Sequence, residues 1–291
     1  MTIKDVSQRL GLSWHTVKEI DKEHLKKHYS KPPLKHVRYI AIDEFAYHKG
    51  HKYKTVVYDL ENGCALYVGE GRDAEALKLF WKRLKCSGAK IKAVATDMWP
   101  AYWATAMEAL PNASIVFDLF HIVKKYNECL DQVRMAIYKD EKDLNKRNVI
   151  KGTKWILLKN EKNLNEEKNE KKRLKEVLKV NEPLSIAYYL KDELRMIWQQ
   201  SGFHEASKAI DRWYDRAQAS GITELRKFAK MLSSHRSGIL NWYKHPVSTG
   251  PLEGFNNKIK VLKRKAYGYR DSEYFDLKIK SLHITRYELL R

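Results

Sequence analysis

The chain has 291 residues, with 56 lysines and arginines against 36 acids, a formal net charge of +20 and a pI near 9.6. A charge that high points to a polyanion as partner, either nucleic acid or an anionic membrane surface. No run of about 18 apolar residues occurs, which excludes a transmembrane helix, and the opening MTIKDVSQRLGLS has no apolar stretch of the signal-peptide kind. Nucleic acid, met in the cytosol or nucleoid, is therefore the expected partner. The three cysteines, Cys64, Cys86 and Cys129, are odd in number and lack CxxC spacing, so neither a disulfide framework nor a zinc knuckle is expected.

From Ile3 to Lys27 the periodicity is helical, with apolar residues at Val6, Leu10, Leu12, Val17 and Ile20. Gly11 separates two helix patterns and Ser13 is a good N-cap for the second, which is the spacing of a helix-turn-helix. Ser13, Trp14, His15, Thr16 and Lys18 then lie at the start of the helix that would enter a major groove. KHYSKPPLKH, with two prolines, reads as a linker. Three strand patterns follow: HVRYIAID, HKYKTVVYDL and GCALYVGE. Glu61-Asn62-Gly63 between the last two marks a hairpin. DAEALKLFWKRLK is a helix that Asp73 can cap, IKAVATD a buried parallel strand, and Pro100 opens the next helix. ASIVFD is another buried strand, ending at Asp118, and LFHIVKKYNECLDQVRMAIYKD a long helix. The order βββαβαβα argues for an α/β domain with a mixed sheet. From about residue 141 to 230 the chain carries no convincing strand and reads as amphipathic helices dense in lysine and glutamate.

Three acids stand out against this background. Two apolar strand patterns end on aspartates, Asp43 and Asp97, and STGPLEGFNNKIKVLKRK places Glu253 at a helix start, with Pro251 suited to its first turn. Carboxyl ends of strands gather at one edge of an α/β sheet, so Asp43 and Asp97 are expected to converge. Three carboxylates on rigid elements can hold two divalent ions, and inside a cationic protein they suggest phosphodiester chemistry. Asn256, Asn257, Lys258, Lys260, Lys263 and Arg264 form a polar, basic helix face suited to a phosphate backbone. Ile259 and Leu262 lie on its buried side. Asp118 and His121 form DLFH, one helical turn apart, and are read either as a supporting pair or as plain structural residues. Lys124 and Lys125 follow on the same helix and join the cationic set.

IAIDEFAYHKGHKY, ATDMWPAY, FDLFHIVKKYN and STGPLEGFNNKIKVLKRKAYGYRD together resemble the ISL3-type DDE transposases of bacterial insertion sequences, over about residues 36 to 285. The resemblance implies a ribonuclease-H-like mixed sheet with a large α-helical insertion before the third acid. It assigns the catalytic, metal-holding acids to Asp43, Asp97 and Glu253, and matches Asp118 and His121 to an Asp-x-x-His motif. The organisation it implies is a helix-turn-helix over 1–28, a linker over 29–35, a first core segment over 36–140, the insertion over 141–235 and a last core segment over 236–291. It further implies two Mg²⁺ ions, for which Mn²⁺ can substitute, double-stranded DNA of terminal repeats and target as partner, no membrane, and a homo-oligomer on DNA in the bacterial cytoplasm. Such transposases usually carry a cysteine-rich zinc-binding segment ahead of the helix-turn-helix. This chain is read as lacking it, so a truncated, non-catalytic DNA-binding remnant or repressor of transposition is the alternative expectation, with a host nuclease on the same core as a third.

Overall fold

The computed structural model describes residues 2–48 and 50–282. Within them one compact unit comprises residues 2–118 with 247–282, and a second comprises Leu119–Pro246.

The first unit is α/β. It opens with α1 (Ile3–Leu10) and α2 (Trp14–Tyr29), joined through Gly11, whose φ of 66° is left-handed and favours glycine. Ser13 caps α2, its hydroxyl accepting from the Thr16 amide at 3.0 Å. The strands are β1 (Tyr39–His48), β2 (Lys52–Asp59), β3 (Cys64–Glu70), β4 (Ala93–Thr96) and β5 (Ser114–Phe117), in the sheet order β3-β2-β1-β4-β5. The β1-β2-β3 pairs are antiparallel, and β1-β4 and β4-β5 are parallel. Between the strands lie α3 (Glu75–Ser87) and α4 (Pro100–Ala109). Asp43 was expected at a strand end, but β1 runs on to His48. Parallel pairing with β4 ends at Ile42–Thr96 while antiparallel pairing with β2 continues. Apolarity in HVRYIAID marked where a neighbour stops, and the strand itself is held open by β2.

Alternation along the strands decides the layers. Ala41, Phe45, Val56, Tyr58, Ala65, Val68 and Ala95 share one core with Leu252, Phe255 and Ile259 of α13 (Gly250–Lys265) and with Phe275 and Ile279 of α14 (Ser272–Ser281). The other face meets α3 and α4, where the Thr55 and Tyr102 hydroxyls lie 3.1 Å apart. A Cβ at Gly69 would strike the Ala76 carbonyl, so β3 and α3 meet there backbone to backbone.

The N-terminal helices pack onto the end of this unit. Leu25 and Tyr29 of α2 bury themselves with Tyr274 and Leu277 of α14. Lys18 and Lys22 reach the Asp271 carboxylate at 2.7 and 3.0 Å. Burial works to raise the Asp271 carboxyl, but hydrogen bonds from Lys18, the Tyr274 amide and Lys22 outweigh it and hold it well below the usual range. Leu34 is buried and Arg83 donates to the Pro32 carbonyl, so the proline segment is fastened to the sheet layer.

Among its described residues the second unit is all helix, comprising α5 (Leu119–Asp140), α6 (Leu144–Ile150), α7 (Lys154–Leu158), α8 (Glu170–Val180), α9 (Glu182–Met196), α10 (Phe203–Ala219), α11 (Thr223–Ser234) and α12 (Arg236–Leu240), with short 3₁₀ turns. Its centre is an edge-to-face cluster of Tyr126, Trp213 and Phe228. The Tyr126 hydroxyl donates to the Ala187 carbonyl at 2.7 Å and the Trp213 indole to that of Leu190 at 2.8 Å, so the polar atom of each ring is satisfied. No described helix is long and apolar enough to cross a membrane.

Lys191 is 1% exposed, with Nζ donating to the carbonyls of Leu157 and Lys159 at 2.7 and 2.8 Å. Burial pushes its ammonium down to about 8. Between that pH and the ordinary lysine range the unfolded chain holds a proton that the folded chain has released, so stability rises with pH there. Wild type is therefore expected to gain stability relative to Lys191→Met between about pH 8 and 10. At pH 7 the variant, which strands two buried carbonyls, should lose about 1–3 kcal/mol. Urea denaturation of both proteins across this range measures both effects.

Candidate active site

The register of the parallel strands builds the site. Ile42 pairs with Thr96, and Thr96 with Phe117. The residue that follows each of these in the chain is an aspartate, so Asp43, Asp97 and Asp118 stand side by side at one level of the sheet, on backbones about 4.8 Å apart. Ala41 and Ala95, two residues earlier, face α13, and alternation sends Asp43 and Asp97 to that same face. The sequence expectation that Asp43 and Asp97 converge is met by geometry, and Asp118 stands beside them.

The helix α13 lies over this row. The Asp118 Oδ2 accepts from the Thr249 amide at 2.9 Å and from the Thr249 hydroxyl. Thr249 thus turns its side chain to the sheet and makes no cap bond to its own helix. Pro251 occupies the first turn, and Glu253, exposed, follows in that turn, where the helix dipole favours a carboxylate. One turn on, Asn256 is buried and its Nδ2 donates to Asp43 Oδ2 at 3.0 Å. The other Asp43 oxygen accepts from the Glu44 amide at 2.9 Å. This overturns the placing of Asn256 on a DNA-contacting face. Its spacing from Leu252 and Ile259 puts it on the sheet side of the helix, and its Oδ1 is buried without a hydrogen-bond partner. Asp97 Oδ1 accepts from the Trp99 amide at 2.9 Å, a turn that opens α4.

Like charges crowd this row. Burial, then Glu44, push the Asp43 carboxyl up to about 7, with Asp97 and Asp118 adding to the rise and the Glu44 amide opposing it. The donor set is all carboxylate oxygen, the chemistry of a hard divalent cation such as Mg²⁺. Among the described residues no three acids, histidines or cysteines stand close enough to enclose a metal ion as they lie. The fit therefore rests on donor chemistry and on the concentration of negative charge at Asp43.

The remaining sequence-selected residues are dispersed. His121 belongs to the second unit, where its ring packs edge-on against Phe120. Lys124 and Lys125 are exposed on α5. Trp14 and His15 are exposed at the start of α2, while Ser13 and Thr16 bond to each other as the cap. Lys18 was placed among DNA contacts, yet it is 14% exposed and paired with Asp271 and Glu19, because its side of α2 faces α14. Asn257, Lys258, Lys260 and Arg264 are exposed and Lys263 half-buried on α13. Sequence reasoning missed Thr249. Its partner Asp118 lies 131 residues away in the chain, outside any local pattern.

The transposase family model of ISL3 type matches residues 40–279. The chain is 43% identical over 282 residues to a transposase for insertion sequence element IS1001 of Bordetella parapertussis, covering 96% of this chain and 69% of that one. It is 30% identical over 260 residues to a transposase for insertion sequence element IS1557 of Mycobacterium tuberculosis, covering 81% of this chain and 58% of that one.

Thr249→Val keeps the amide donor to Asp118 and removes the hydroxyl, and is expected to cost about 1.5–3 kcal/mol as one charge-assisted bond is lost. Thr249→Ser should recover most of it. Chemical denaturation of the three proteins measures the difference.

Proposed function

The chain belongs to the ISL3 family of transposases, and from that premise we propose that it cuts DNA strands at the ends of an insertion sequence and transfers them to target DNA by metal-dependent DDE chemistry. The observation that carries this reading is the row of Asp43, Asp97 and Asp118 at one level of three parallel-paired strands, with Glu253 on the helix overhead, inside the family-matched region. The sheet order β3-β2-β1-β4-β5, with helices on both faces, supports a ribonuclease-H-like core.

Asp43, Asp97 and Glu253 would hold two Mg²⁺ ions, with Mn²⁺ able to substitute. Bound divalent ions supply Lewis acidity and a water of lowered pKa for phosphodiester hydrolysis, and they stabilise the leaving oxygen. The three acids act as holders and never attack, so no covalent enzyme intermediate forms. Asn256 orients Asp43 through the bond to Oδ2, and Asp118, through Thr249, fixes the start of α13 and with it the backbone that carries Glu253. Asp118 is therefore a positioning residue. His121 is kept as a supporting candidate on its motif alone.

DNA contact rests on phosphates. Asn257, Lys258, Lys260, Lys263 and Arg264 of α13, with Lys124 and Lys125 of α5, supply the cations, and α1–α2, read as a helix-turn-helix, offers Trp14 and His15 to a groove. Lys18 contributes little, since Asp271 neutralises it. Acting on paired ends, the protein is expected to work as a homo-oligomer.

A labelled duplex carrying the element's ends, incubated with Mg²⁺ or Mn²⁺, tests the proposal. Nicking at the end by wild type, lost by at least a thousandfold in Asp43→Asn, is the expected result, with DNA affinity equal or higher in the variant because a negative charge near phosphate is gone. Cleavage retained in Asp43→Asn would sink the assignment. Binding without nicking in both proteins would favour the non-catalytic remnant. With six or more phosphate contacts, affinity should fall by about three decades or more between 50 and 200 mM salt, measured by fluorescence anisotropy.

A further inference from the structure

Beside Asp97 the sheet edge carries a group of side chains that the acid chemistry does not use. Trp99 is 43% exposed although it sits three residues beyond a buried strand. The residue is held at two points, one on its backbone and one on its ring: the backbone amide donates to Asp97 Oδ1 at 2.9 Å, and the indole Nε1 donates to the Arg72 carbonyl at 3.1 Å. The Arg72 guanidinium lies 5.3 Å from the Trp99 ring centre and 4.4 Å from that of Tyr53, and the His51 ring stacks on Tyr53 in turn, with an interplanar angle of 30°. Arg72 is exposed, and no carboxylate among the described residues forms an ion pair with it. The arrangement costs apolar exposure and leaves a cation unneutralised, in a chain that pairs Lys18, Lys22 and Lys54 with acids nearby.

A fixed, half-exposed indole backed by a guanidinium is what a nucleobase stacks on, because every base offers a π-face and the cation strengthens the stack. A guanidinium with free donors suits a phosphate oxygen. Both groups are anchored to the turn that carries Asp97, so whatever they hold is adjacent to the acid row. In a fully paired duplex the base faces are covered by their neighbours. The surface therefore selects a nucleotide that is already unpaired or has been unstacked.

We propose that Trp99, braced by Arg72 and Tyr53, is a stacking platform for one unpaired nucleobase of the DNA, and that the Arg72 guanidinium binds the phosphate of that nucleotide. The inference rests on the transposase reading of the acid row and adds a specificity for distorted or unpaired DNA at the cleavage position.

The test is a binding experiment in Ca²⁺ with two synthetic probes: a blunt labelled duplex, and the same duplex with a single unpaired 3′ 2-aminopurine. Wild type should bind the second more tightly and quench its fluorescence. Trp99→Ala should reduce that preference by about 5-fold or more, the scale of one lost base–aromatic stack, and abolish quenching, with blunt-duplex affinity and melting temperature unchanged. Trp99→Phe should keep most of the preference, and Arg72→Gln should weaken binding of the unpaired probe more than that of the blunt duplex. Equal wild-type affinity for the two probes, or a preference that survives in Trp99→Ala, overturns the platform. Should Trp99→Ala fail to fold, Trp99→Phe and the wild-type quenching decide. The catalytic reading is separated by nicking, in Mn²⁺, of a duplex that carries the element's ends. Quenching without nicking overturns the catalysis and leaves the platform, and nicking without quenching does the reverse.

Discussion

Negative charge held at one level of a parallel sheet is the constraint around which the first unit is arranged. Asp43, Asp97 and Asp118 follow the last parallel-paired residues of three adjacent strands, and burial with the negative charge around it makes Asp43 harder to ionise. Such a row persists only where donors reach it. The Glu44 and Trp99 amides, the Asn256 amide group and the Thr249 amide and hydroxyl all point at these carboxylates. Apart from Glu44, which is on β1 itself, each donor comes from a turn or helix that must be correctly docked, so the electrostatics of the row and the packing of its surroundings are one problem.

Docking of α13 solves most of it. Leu252, Phe255 and Ile259, at helical spacing, enter a core whose sheet side includes Ala41 and Ala95. Small residues two positions before Asp43 and Asp97 let the helix approach closely enough for Asn256 to reach Asp43. Thr249 then fastens the N-terminus to Asp118, and Glu253 emerges on the exposed side of the first turn. The helix reads as two faces with separate tasks: an apolar and amide face toward the sheet, and a cationic face of Lys258, Lys260 and Arg264 toward solvent. The next helix, α14, carries the arrangement outward, since its Tyr274 and Leu277 receive α2 and Asp271 collects Lys18 and Lys22.

Much of this was legible in the chain. The alternation HKYKTVVYDL, the Asn-Gly turn and the short apolar runs before Asp97 and Asp118 predict the strands because period-two burial and turn chemistry are local. Pro251 and Ser13 marked helix starts for the same reason. What misled was the assumption that apolarity tracks strand length: β1 continues past Asp43 because β2 supplies its hydrogen bonds, a partner that no local pattern reveals. Likewise Lys18 and Asn256 looked like surface groups because polar residues usually are. Their partners, Asp271 and Asp43, lie more than two hundred residues away in the chain.

The sequence by itself determined the kinds of element, the choice of Asp43, Asp97 and Glu253 as the acids worth following, and the cationic character of the whole, since these depend on neighbours within a turn or on composition. Only the tertiary structure decided that Asp118 completes the row, that Thr249 and Asn256 serve the carboxylates, that Lys18 is neutralised, and that Trp99 and Arg72 stand exposed beside Asp97. Register between parallel strands and the docking of α13 on them are long-range facts. They follow from which surfaces fit together once the chain has closed, and no window of sequence contains both sides of the contact.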